Sequence, residues 1–86
     1  MTLRYTDHFL KNARILPTAQ QKKPAKLLEL LEKAPYHPLL LTKPLAHELA
    51  GLYSFRITRD WRVVFRFESS EEIVLLDVNH RKDIYR

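Results

Sequence analysis

The hydrophobic spacing of this chain changes period once, at Gly51, its single glycine. Beyond that point apolar and polar residues alternate. LYSFRIT sets Tyr53, Phe55 and Ile57 against Ser54, Arg56 and Thr58, and WRVVFRF sets Trp61, Val63, Phe65 and Phe67 against Arg62, Val64 and Arg66. Alternation of this kind makes a strand with one apolar face and one partly cationic face. EIVLLDVNH is apolar on both faces over Ile73 to Leu76, the pattern of a central strand. Turn residues stand at Arg59-Asp60 and at Ser69-Ser70-Glu71, which predicts a three-stranded antiparallel meander.

Before Gly51 the spacing is helical. Met1 to Tyr5 reads as a short first strand. Thr6 or Asp7 caps a helix reaching about Leu16, with Phe9, Ala13 and Leu16 on one stripe and Pro17 at its end. Thr18 and Gln21 fit a capping box. KPAKLLELLEKA carries Leu27, Leu28, Leu30 and Leu31 for packing on a sheet; Pro24 delays its start and Pro35 stops it. The expected architecture is α+β: a short N-terminal strand, a helical hairpin, then the meander, with both helices on one face of the sheet.

At 86 residues the chain makes one domain. It has no cysteine, so disulfides, thiolate metal sites and a cysteine nucleophile are excluded. A lone glycine excludes phosphate-cradling glycine loops and leaves ATP- or NAD-dependent chemistry without support. No apolar run is long enough to span a membrane and the N-terminus has no signal core, so a soluble cytoplasmic protein is expected. The net charge is +5. Residues 1–42 hold 7 basic and 3 acidic groups, and residues 43–86 hold 8 and 7. Such a balance favours a polyanion or an acidic protein as partner.

Strand alternation decides which side chains can cooperate. If Ile57 pairs with Trp61, Arg56 stands opposite Arg62 on the non-core face; a two-residue turn at Arg59-Asp60 gives different faces and stays open. Like charges directly opposite are destabilising, which is sensible where an anion normally sits between them. Pairing Arg62 with His80 in the second hairpin brings Arg56, Arg62 and His80 to one end of the sheet, and sets Asp77 on the face of Phe65. Two fixed cations, a histidine, and a tail holding Arg81 and Tyr85 suit metal-independent chemistry on a phosphodiester. Arginines stabilise phosphoryl charge and a histidine protonates the leaving oxygen. Taken singly, the arginines read as solvated strand residues, His80 as a strand-end histidine, Trp61 as core and Tyr85 as an anchor for the chain end. On these grounds alone the chain is a basic α+β domain suited to RNA or an acidic protein.

The stretch LAGLYSFRITRDWRVVFRF, a short polar turn, and IVLLDVNHRKDIYR together resemble the RelE/ParE superfamily of toxins from bacterial toxin–antitoxin pairs, on the RelE, YoeB and YafQ ribonuclease side. The marks are Gly51, then Ser54 and Arg56 on a strand, then Asp60-Trp61-Arg62, then eighteen positions from Arg62 to His80, then Tyr85. The resemblance implies that Arg62 stabilises the transition-state phosphate and that His80 is the general acid. It also implies that Asp60 and Trp61 belong to the site and that Arg56 binds phosphate where YafQ-like toxins carry a histidine. Arg81 and Tyr85 fall in the segment that contacts RNA. Lys43 stands where YoeB-like toxins have a glutamate base, and RelE-like toxins use lysines nearby; His47 and Glu48 are weaker replacements.

The implied reaction cleaves mRNA, on translating ribosomes, to a 2′,3′-cyclic phosphate and a 5′-hydroxyl, with no metal or cofactor. The implied partner is an antitoxin whose acidic, partly disordered segment wraps the basic surface. The competing readings are a ParE-type inhibitor of DNA gyrase without nuclease activity, and a non-catalytic RNA- or ribosome-binding module.

Overall fold

The computed structural model describes residues 1–16, 23–80 and 82. Its elements are β1 (Thr2–Tyr5), α1 (Asp7–Ala13), α2 (Lys23–Lys33), β2 (Lys43–Pro44), β3 (Tyr53–Arg56), β4 (Trp61–Phe67) and β5 (Glu72–His80), with single 3₁₀ turns at Pro38–Leu40 and His47–Leu49. The sheet order is β1-β5-β4-β3-β2. The meander β3-β4-β5 forms as expected, and a further strand is added at each side. β1 runs parallel to β5, with Tyr5 opposite Leu75, and β2 pairs with β3 through Lys43 and Ser54.

Thr6 caps α1 by accepting from the Phe9 amide at 3.1 Å, and its hydroxyl donates to the Leu75 carbonyl at 2.9 Å. One side chain therefore ends β1, starts α1 and ties the corner to β5. α1 ends at Ala13, short of the expected Leu16, although Leu16 still reaches the core. α2 begins at Lys23, so Pro24 lies in its first turn, where no intrahelical N–H is needed. The capping box expected at Thr18 and Gln21 lies outside the described residues. Gly51 has φ +93, a backbone conformation side chains resist, and turns the chain into β3.

Phe9 and Leu31, one from each helix, meet Phe55, Val63, Phe65, Ile73, Leu75 and Val78 in a single core on one sheet face. A small second cluster, Leu45 and Val64 with Leu49, Leu52 and Leu76, covers part of the opposite face. The connection after α2 is pinned by Tyr36, which stacks on Phe67 at 6.0 Å. Desolvation and a hydrogen bond with Tyr53 raise the Tyr36 hydroxyl above the ordinary phenol pKa. Arg66 Nε donates to Glu68 at 2.8 Å and holds that carboxyl below its ordinary value. The pair's small contribution is present at neutral pH and fades as pH falls. No described helix is long and apolar enough to cross a membrane.

Leu31 is fully buried at the centre of the helix-side core. Leu31→Ala is expected to lower unfolding free energy by about 2–5 kcal/mol in urea titration. A loss under about 1 kcal/mol would mean that α2 is not docked through this residue.

Candidate functional site

The first expected hairpin register is observed. The Ile57 amide donates to the Trp61 carbonyl at 2.9 Å, and Arg56 stands opposite Arg62. β2 adds Lys43 to the same face, because Lys43 pairs with Ser54, two residues from Arg56 on one strand. The three cations and Leu41 line a shallow cavity of about 200 Å³. Arg62 is oriented by its own turn, its Nη1 donating to the Thr58 carbonyl at 3.0 Å. Arg56 Nε is buried with no hydrogen-bond partner. A buried donor without an acceptor is costly, and an anion that reached it would offset that cost.

The second expected register is corrected. Trp61, not Arg62, stands opposite His80, and Arg62 stands opposite Asn79. Cross-strand partners share a face, so His80 emerges on the helix side while Arg56, Arg62 and Lys43 lie on the other. The rings of Trp61 and His80 meet edge-to-face at 5.5 Å. The expected register fails because of Asp77. It would set that carboxylate on the face of Phe65, which is 0% exposed. Instead a register shift between Val64 and Phe65 makes Leu76 an extra residue, and Asp77 bonds to Asn12 of α1 at 2.6 Å.

Asp60 is exposed in the β3–β4 turn, where its amide donates to Thr58 Oγ1 at 3.4 Å. Trp61 is half-buried at the rim of the core, close to the core placement expected of it, and its ring lies beside His80, where Arg62 was expected. Arg81 and Tyr85 lie outside the described residues. His80 Nδ1 accepts from the Lys82 amide at 3.4 Å. His47 and Glu48 are exposed on a 3₁₀ turn and do not line the cavity. Leu41 was not legible as a site residue. It stands third in an LLL run, and its left-handed backbone, φ 52, has no sequence mark. Among the described residues no group of three or more His, Asp or Glu could hold a metal ion.

This arrangement, a small α+β domain with a cationic cavity on the open face of its sheet, defines a class. Its fold is that of bacterial toxins: it matches YafQ from Escherichia coli with a TM-score of 0.81 at 15% identity, over 98% of this chain and 97% of that one. The toxin–antitoxin complex RelBE2 from Mycobacterium tuberculosis contains a chain 30% identical to this one, with a TM-score of 0.68, over 93% of this chain and 96% of its own. Residues 3–85 match the family described as ParE toxin of type II toxin–antitoxin system, parDE, and the chain belongs to that family within the RelE/ParE superfamily. Toxin RelG from Mycobacterium tuberculosis is 44% identical over 50 residues, covering 57% of this chain and 56% of RelG.

The cavity should bind a tetrahedral anion. Millimolar sulfate or phosphate is expected to raise the thermal midpoint of the native chain, as any ligand of the folded state does. Arg62→Gln relieves the charge opposition with Arg56 and should be at least as stable without anion, while losing most of the anion response. An unchanged response in Arg62→Gln would rule out the cavity as the binding site.

Proposed function

We propose that this chain is the toxin of a toxin–antitoxin pair and a metal-independent endoribonuclease that cleaves mRNA by attack of a ribose 2′-hydroxyl on the adjacent phosphorus. The observation that carries the reading is the cavity lined by Lys43, Arg56 and Arg62. In such a displacement negative charge grows on the non-bridging phosphoryl oxygens. Two guanidinium groups held opposite each other contribute most where that charge is greatest. Arg56 supplies a buried, unshared N–H, and Arg62 is pre-oriented by Thr58. Lys43, exposed at the sheet edge, is the group for the attacking hydroxyl, acting as base only in its neutral form.

His80 is the proton donor to the leaving 5′-oxygen, delivered around the end of the sheet beside Trp61. Asp60 and Trp61, on the turn and rim at that end, contact the substrate strand, and Arg81 and Tyr85 extend the contact beyond it. The transcript is met in the ribosomal A site, in the cytoplasm. The neutralising partner is an antitoxin whose acidic, partly disordered segment covers the basic surface. The net charge of +5 and the RelBE2 complex support that partner.

A second reading draws on one specific observation. His80 shares its face with Trp61 and not with Arg62, and a toxin that only occludes its target, such as a gyrase inhibitor, needs no general acid.

Induced expression without antitoxin is expected to arrest growth and to produce new mRNA 5′ ends in primer extension. Arg62→Ala should lower cleavage about 10²–10³-fold, and cleavage by purified protein with ribosomes should persist in EDTA. Growth arrest without new 5′ ends, accompanied by loss of DNA supercoiling, would replace the ribonuclease with the gyrase reading.

A further inference from the structure

Strand β5 changes, partway along, which of its residues face the helices. Ile73 and Leu75 lie in the helix-side core, and so does Val78. Unbroken alternation would have brought Asp77 there, two residues after Leu75. The cause is the bulge: Phe65 pairs with Leu75, yet Val64 pairs with Asp77. One extra residue inverts the face of every side chain after it. Were the Phe65–Leu75 register to continue without a bulge, Asp77 would stand opposite Val63, Val78 opposite Arg62, and Asn79 opposite Trp61. His80 would then share the face of Arg62. In the structure it lies against Trp61 instead.

The bulge is fastened from α1. β1 ends at Tyr5, just short of it, and the Thr6 hydroxyl reaches the Leu75 and Leu76 carbonyls at 2.9 and 3.3 Å. α1 then presents Asn12, whose Nδ2 donates to Asp77 Oδ1 at 2.6 Å, and His8, whose Nε2 lies 3.3 Å from the same oxygen. The Asp77 side chain is 26% exposed, so it depends on these partners. The bulge-free register would press the carboxylate against Val63, which is 1% exposed in the core.

We propose that Asp77 is the positioning residue that sets the face on which β5 presents His80. Its carboxylate forbids continuous alternation, and its bonds to α1 hold the bulge at Leu76. The catalytic consequence rests on the reading of His80 as proton donor; the placement itself does not.

The test is NMR on the full chain, using cross-peaks between the Trp61 indole and the His80 ring. Asp77→Asn keeps an acceptor for Asn12 and should retain them. Asp77→Val removes both the acceptor and the barrier to core burial, and should lose them with circular dichroism unchanged. If Asp77→Val does not fold, Asp77→Ala, which also removes the carboxylate, carries the test and should lose the same peaks. Full-intensity cross-peaks in a folded Asp77→Val, or in Asp77→Ala, overturn the proposal. RNA cleavage by the same variants separates the two ideas. Peaks lost with cleavage unchanged uphold the placement and remove His80 from the ribonuclease mechanism.

Discussion

The pairing of β5 on both of its edges is the constraint on which the rest of this fold depends. β1 lies along one side, parallel, and β4 along the other, antiparallel. Ile73, Val74 and Leu75 are all buried, so the strand is covered on both faces as well. That four-sided grip covers Ile73 to Leu75; beyond it the exit keeps β4 along one edge and is tied to α1 through Asp77 and Asn12, which resists fraying. Thr6 adds the link that makes the arrangement cooperative, since its hydroxyl joins the first helix to the last strand, 69 residues away. A parallel pair needs a crossover to connect it, and the chain between β1 and β5 serves as that crossover.

Much of this was legible because it rests on local periodicity. Alternation in Tyr53–Ile57 and Trp61–Phe67 gave two strands and their faces but left the turn at Arg59-Asp60 open to two registers, and the Ile57–Trp61 bond decides for the one that sets Arg56 against Arg62. The β4–β5 register was not legible, because its determinant is nonlocal. Asp77 is satisfied by His8 and Asn12, and only the folded corner at Thr6 brings that helix to it. The edge strand Lys43–Pro44 was missed for a similar reason: two residues carry no period. Lys43 was expected at the site only through family resemblance, and the sheet gave it a physical place.

The two faces of the sheet divide the labour. The helix side is a continuous apolar core ending at Trp61 and His80. The other side carries a smaller apolar cluster and, beside it, three cations. Keeping Arg56 and Arg62 opposite each other costs stability in the isolated chain, and residues that lower stability while gathering charge are common where a ligand must bind.

The outermost strand on the β3 side has a consequence for the molecule among its copies. It is two residues long, one of them proline, which offers no N–H to a neighbour, and the other lysine, which repels a second molecule. An open five-stranded sheet would ordinarily invite edge-to-edge polymerisation. Here one flank is blunted by its own covalent chemistry, so the chain, even at high concentration, has no template on that side from which to grow an aggregate.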